Sequence, residues 1–203
     1  MRCTGVILAG GLATRFGGRP KGLERVHGVR IIDRVAAALR SAADDLLVVA
    51  DDPNAPLWLG DVRVITDLCS GLGSLGGLLS ALVGAGTPVL VVAWDMPFVP
   101  GPLLAELRRV GETEAYDAVV PTSGSPRGLE PLCAYYTAAC TAPIRRRLDA
   151  GDRRMVGFFD DVRVARLDCD TVHRFGDPSR MFLNLNRPQD LEAAEGLTDA
   201  ADG

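Results

Sequence analysis

The sequence predicts an α/β fold: a mostly parallel central sheet covered by helices on both faces, three layers in all, with one or two antiparallel strands. Three observations carry that reading. Short continuous apolar runs such as "DLLVVAD" (45–51) and "PVLVVAWD" (88–95) have the composition of strands covered on both sides. Between them lie stretches with apolar residues on a 3.6-residue period. The two kinds of segment alternate along most of the chain, as they do in sheets built from strand–helix–strand crossovers.

Taken in order, "TGVILA" (4–9) is the first strand. "VRIIDRVAAALRSA" (29–42) places Ile32, Val35, Ala36 and Leu39 on one helical face. The runs at 45–51 and "VRVIT" (62–66) are strands. "SLGGLLSALVGAG" (74–86) is a helix ended by glycines. The run at 88–95 is the most hydrophobic strand and belongs at the centre of the sheet. "PGPLLAELRRVG" (100–111) is a helix with Pro102 near its start and Gly111 past its end. "YDAVVP" (116–121) and "EPLCAYY" (130–136) are strands, and "TAPIRRRLDAG" (141–151) is a helix. "VRVARLD" (162–168) and "MFLNLN" (181–186) alternate like half-buried strands. "RPQDLEAAEG" (187–196) closes as a helix, with Asn186 the expected N-cap. We expect one domain over 1–197, with 198–203 a frayed tail.

Composition narrows the function. The chain has 203 residues, 47% of them hydrophobic, and a formal net charge of −4. An acidic balance argues against nucleic acid as a partner, because phosphate backbones select basic surfaces. No apolar run approaches the roughly 18 residues of a membrane span, and "TGVILAGG" is too short for a signal-peptide core, so a cytoplasmic location is expected. The 5 cysteines and 2 histidines fit neither a disulfide framework nor a zinc site.

In sheets of this kind ligands bind beyond the carboxyl ends of the strands. That rule selects the loop after residue 9, Asp67 and Asp95. The loop, "GGLATRFGGRPKG", holds Gly10, Gly11, Gly17, Gly18 and Gly22 around Arg15, Arg19 and Lys21, the only lysine in the chain. Glycines let backbone N–H groups approach phosphate oxygens, and Arg15 and Lys21 can neutralise their charge. The loop does not match the Walker pattern, since no hydroxyl residue follows Lys21. A dinucleotide-type G-x-G-x-x-G does occur at Gly71, Gly73 and Gly76, but "DLCS" separates it from its strand and it leaves the first loop unexplained. Asp95, at the end of the most apolar strand, is the candidate metal ligand; Mg²⁺ typically takes one or two carboxylates together with substrate phosphates and water.

These residues carry a resemblance. "LAGG", Arg15, Gly17-Gly18 and Lys21-Gly22 resemble the signature of nucleotidyltransferases that transfer a nucleoside monophosphate, and "VVAWDMP" is similar to their metal-binding strand. Within that superfamily, the double glycine with "KGL" (17–23), "GLGSLGGLLSAL" (71–82), "EPLCAYY" (130–136) and "FLNLNRPQDL" (182–191) resemble the molybdenum cofactor guanylyltransferases, the MobA family. The resemblance implies a Rossmann-like, nucleotide-diphospho-sugar transferase-like fold and transfer of GMP from GTP to molybdopterin with Mg²⁺ as cofactor. It implies nucleotide binding by Leu8, Ala9, Gly10, Gly11, Lys21 and Asp67, catalysis by Arg15, Lys21 and Asp95, and metal binding by Asp95. Asn184 and Asn186, on one face of a strand, would border the second substrate, with Arg153 and Arg154 as further candidates. Transient contact with molybdenum enzymes or cofactor-biosynthesis proteins is a further implication. Two positions depart from the family pattern: Pro20 stands where Asp often precedes the lysine, and Val49, Ala50 and Asp51 stand where an Asn often ends the second strand. The rival readings are a CTP-dependent or sugar-phosphate nucleotidyltransferase and a non-catalytic nucleotide-binding adaptor.

Overall fold

Seven strands form the central sheet: β1 (Thr4–Leu8), β4 (Asp45–Val49), β5 (Arg63–Ile65), β6 (Val89–Ala93), β7 (Ala118–Pro121), β8 (Cys133–Tyr136) and β9 (Val164–Leu167). The structure, a computed structural model, describes residues 1–10, 20–68, 71–124 and 128–196. The strand order is β5-β4-β1-β6-β8-β7-β9, so the most apolar strand is indeed the middle one. β8 pairs antiparallel with both β6 and β7, and the other strand pairs are parallel. Every residue of β1 and β6 is buried, which is why both read as unbroken apolar runs.

Side chains alternate across the sheet into two cores. Ile7, Val48, Leu90 and Val92 face α1 (Ile31–Arg40) and α3 (Gly101–Glu114). Val6, Leu8, Val49 and Val91 face α2 (Gly73–Ala85) and Ile144 of α4 (Thr141–Asp149). α2 buries an unbroken run from Leu75 to Leu82, covered by the sheet on one side and α4 on another. A third, small cluster joins Val26, Ile31, Leu185 and Ala194. It holds α7 (Pro188–Glu195) against the antiparallel hairpin of β2 (Arg25–Val26) and β3 (Val29–Arg30).

Three expectations need correction. Gly111 does not end α3; the helix runs on to Glu114 and Ala115 closes it in the left-handed conformation (φ 54°). Gly111 is there for space, since a Cβ would lie 2.3 Å from the Tyr135 ring. The stretch 181–186 is not a strand. It runs from α6 (Pro178–Met181), which follows the short α5 (Cys169–His173), across the end of β6 to α7. Its alternation reflects burial of Phe182 and Leu185 in two different clusters rather than sheet pairing. Asn186 is not the N-cap of α7; Arg187 occupies that position. The frayed tail expected at 198–203 lies outside the described residues. Among the described residues no helix is long and apolar enough to cross a membrane.

Candidate active site

The register of the sheet builds the site. Leu8 sits opposite both Val49 and Ala93, so β1, β4 and β6 end in line. The chain therefore leaves the sheet at Ala9, Ala50 and Trp94 along one edge, and Asp67 follows β5 on the same edge. A cavity of about 660 Å³ opens there, within the usual size of a small-molecule site. Leu8, Ala9, Gly10, Lys21, Asp67 and Asp95 all line it. Gly11 and Arg15 lie outside the described residues.

Lys21 opens a single 3₁₀ turn, Lys21–Leu23, closed by the Leu23 N–H donating to the Pro20 carbonyl at 3.0 Å. Gly22 presses on Trp94; a Cβ here would fall 2.5 Å from the indole ring, so the turn can approach the sheet only with glycine. Lys21 Nζ donates to Asp95 Oδ2 at 2.5 Å and to Asn186 Oδ1 at 2.9 Å. The Lys21 and Asp95 side chains are 15% and 9% exposed, so this is a largely desolvated ion pair. The other carboxylate oxygen, Asp95 Oδ1, is buried and has no hydrogen-bond partner among the described residues. A buried anionic oxygen left unpaired is costly, and a bound cation would satisfy it.

The far wall is built by α2 and the residues before it. Gly71 and Gly73 adopt positive φ (82° and 72°), conformations that favour glycine, and with Gly77 they line the cavity. Among the described residues no side chain caps the first turn of α2, which leaves its N–H groups available to an anion. Ser80, fully buried in α2, places Oγ 2.6 Å from Asp67 Oδ1, and the Asp67 N–H donates to Asp51 Oδ1 at 3.0 Å. Asp51, Asp52 and Asp67 thus share one wall. Trp58 stacks on Trp94 with ring centroids 5.3 Å apart, forming an apolar floor.

The four second-substrate candidates are not brought together as expected. Asn186 meets Lys21. Arg153 Nη1 donates to the carbonyl of Gly71 on the cavity wall at 3.0 Å. Asn184 turns back on its own segment, donating to the Phe182 carbonyl. Arg154 binds Asp152 through two N–H groups and holds that carboxyl well below the usual carboxylate range. Without a strand at 181–186, no pleat puts Asn184 and Asn186 on one face. Sequence reasoning misses Ser80, Asp51, Asp52 and the tryptophan pair. Ser80 does leave a signal, as a single hydroxyl within the apolar run "GGLLSALV".

A cavity at the carboxyl edge of a parallel sheet, with a buried lysine–carboxylate pair and an uncapped helix start, defines an α/β protein that handles phosphorylated ligands. The chain belongs to the family of MobA-like NTP transferase domains, which matches residues 5–165, and is a nucleotidyltransferase. It is 35% identical over 202 residues to a protein of Pelotomaculum thermopropionicum named "Probable molybdenum cofactor guanylyltransferase", covering 98% of this chain and 95% of that one. It is 35% identical to the molybdenum cofactor guanylyltransferase of Desulfosudis oleivorans, over 97% of this chain and 96% of the relative. Among solved structures, molybdopterin-guanine dinucleotide biosynthesis protein A from Archaeoglobus fulgidus superposes with a TM-score of 0.79 at 28% identity, over 95% and 97% of the two chains.

Proposed function

We propose that the chain transfers GMP from GTP to molybdopterin, releasing pyrophosphate and yielding the guanine dinucleotide form of the cofactor. The observation that carries this reading is the Lys21–Asp95 pair inside a cavity whose opposite wall is the start of α2. The names of relatives similar over nearly the whole chain support the choice of substrates. A phosphate oxygen of molybdopterin attacks the α-phosphorus of GTP. The new P–O bond forms as the α–β bridging P–O bond breaks, and its electron pair leaves with pyrophosphate. The nucleophile is already ionised, so no strong general base is required. Positioning and charge neutralisation do the rest.

Lys21 neutralises the phosphates, helped by the first-turn N–H groups of α2 and by Arg15 of the glycine loop. Asp95 would hold Mg²⁺ through Oδ1, the buried unpaired oxygen, with phosphate oxygens and water completing the shell. When bound, that ion neutralises charge developing on the phosphates. Gly10, Ala9 and Leu8 meet the nucleotide through their backbone, together with Gly11. Asp67, with Asp51 and Asp52, presents acceptor-only carboxylates to the base. Guanine offers N1–H and an N2 amino group along one edge, whereas cytosine offers a single amino donor. Asn186 and Arg153 border the second substrate.

The test is pyrophosphate release and cofactor product with GTP, CTP and ATP, alongside thermal shifts with and without Mg²⁺. GTP with Mg²⁺ is expected to stabilise most, by about 2.7 kcal/mol at a hundredfold excess over Kd. A larger shift and faster transfer with CTP would reassign the nucleotide. Absence of transfer to molybdopterin would overturn the reaction.

A further inference from the structure

We infer that Asp190 is a positioning residue for Lys21, acting through Asn186; this rests on the nucleotidyl-transfer reading above. Asp190 sits in the first turn of α7, where a carboxylate usually only caps the helix. Here Asp190 Oδ2 accepts from the Arg187 N–H at 2.8 Å and also from the Asn186 N–H at 2.8 Å. The second bond reaches past the N-cap to the residue before the helix. Helix capping does not require it. Its effect is to fix the backbone of the residue whose side chain meets Lys21.

Asn186 is pinned from the other side as well. The Leu185 N–H donates to the Asp95 carbonyl at 2.9 Å, and the Leu185 side chain is fully buried with Val26, Ile31 and Ala194. The chain is thus held at 185 by the end of β6 and at 186 by α7. Asn186 Oδ1 then stands 2.9 Å from Lys21 Nζ. A lysine ammonium has three N–H donors. Asp95 takes one and Asn186 another, which aims the third. With Asp95 alone the ammonium could turn about that single bond on its four-carbon stem. A neutral amide oxygen suits this role, because it orients the ammonium without adding a negative charge beside the phosphates.

The test is a double-mutant cycle with two readouts. The first is kcat and the GTP KM of wild type, Asn186→Ala, Asp190→Ala and the double variant. The second is the acylation rate of Lys21 by acetic anhydride, read by peptide mass spectrometry. Lys21 is the only lysine, so the signal has one side-chain source, and it does not depend on the reaction assigned. Each single variant is expected to lower kcat by about tenfold, as loss of an outer-shell partner does, with a smaller change in KM. Each should also raise Lys21 acylation several-fold, and the double variant should go no further than Asn186→Ala. Arg187→Ser combined with Asp190→Ala supplies a new N-cap, and should recover melting temperature without recovering kcat. The inference is overturned if Asp190→Ala matches wild type in both readouts, if the two losses multiply, or if the new cap restores kcat. A wild-type chain that transfers nothing from GTP, while the acylation cycle behaves as stated, would sink the reaction and leave the positioning role standing.

Discussion

Lys21 Nζ lies 2.5 Å from Asp95 Oδ2 although the two residues are 74 positions apart, one before the first crossover helix and one at the end of the central strand. Each charge compensates the other inside the cavity. A triphosphate with its cation offers the same two charges in the opposite arrangement: phosphates for Lys21, the cation for Asp95. Ligand binding would then add an external partner to each member of the pair, the cation at Asp95 Oδ1 and a phosphate at the third Lys21 N–H, so neither charge is left buried alone.

Replacing Lys21 tests one half of that arrangement. Lys21→Ala should lower kcat by about 10²–10³, on the order of 3–4 kcal/mol, the usual effect of removing one preorganised electrostatic contact. It also leaves Asp95 uncompensated, so the ligand-free protein should melt at a lower temperature. Lys21→Arg should restore only part of the rate, because a planar fork cannot replace a point charge. Steady-state kinetics and circular dichroism on the same samples separate the two effects. A Lys21→Ala enzyme as fast as wild type would remove Lys21 from the reaction.

Asp95→Asn tests the other half. The amide keeps an oxygen that can accept from Lys21 Nζ but loses the charge a cation requires. Folding should survive and turnover should collapse, even at saturating Mg²⁺. Near-wild-type turnover under those conditions would show that Asp95 is not the metal ligand.

Much of this arrangement is legible in the sequence, for a physical reason. β1 and β6 are buried on both faces, so apolar residues fill them, and their ends mark the edge where the cavity opens. Asp95 and Asp67 follow from position alone. The segment at 181–186 misleads because alternation reports alternate burial, not hydrogen bonding. Leu185 is buried by a helix and a hairpin rather than by a neighbouring strand. The Trp58–Trp94 stack has no sequence signal, since it joins the residue after β6 to a residue in the connection between β4 and β5, and only the tertiary fold brings them together.

Buried thiols make a pH prediction. Burial pushes the Cys3 and Cys140 thiols up from 9.0 to about 12. A raised folded pKa stabilises the fold fully below the unfolded value, and that contribution is lost as pH rises from about 9 towards 12. Denaturant midpoints should therefore fall steadily across that range. At pH 8, iodoacetamide should label the exposed Cys169 in the folded protein and spare Cys3, Cys133 and Cys140. Equal labelling of all four, read by peptide mapping, would contradict the burial.

Gly22 gives the most local test of how the fold places Lys21. An alanine Cβ would lie 2.5 Å from Trp94 Cε3 and 3.1 Å from Cδ2, so either the ring or the turn must move. The ring has little freedom: Trp58 stacks on it at a 25° interplanar angle, and the Trp94 backbone N–H donates to the Leu8 carbonyl at 3.2 Å. The turn should therefore lift, carrying Lys21 away from Asp95. Overpacking of this kind costs roughly 1–3 kcal/mol of stability. The catalytic cost should be larger than that loss suggests, because misplacing a reacting group by about 1 Å can cost about a hundredfold. The chain has 2 tryptophans and both belong to this stack, so its intrinsic fluorescence reports the movement directly. Gly22→Ala should shift the emission and cut kcat while leaving the circular dichroism spectrum unchanged. Trp94→Leu in the Gly22→Ala background removes the obstructing ring and should recover part of the rate relative to Gly22→Ala alone. Wild-type kcat together with unshifted emission in Gly22→Ala would mean that the turn reaches Asp95 without the close approach that glycine permits.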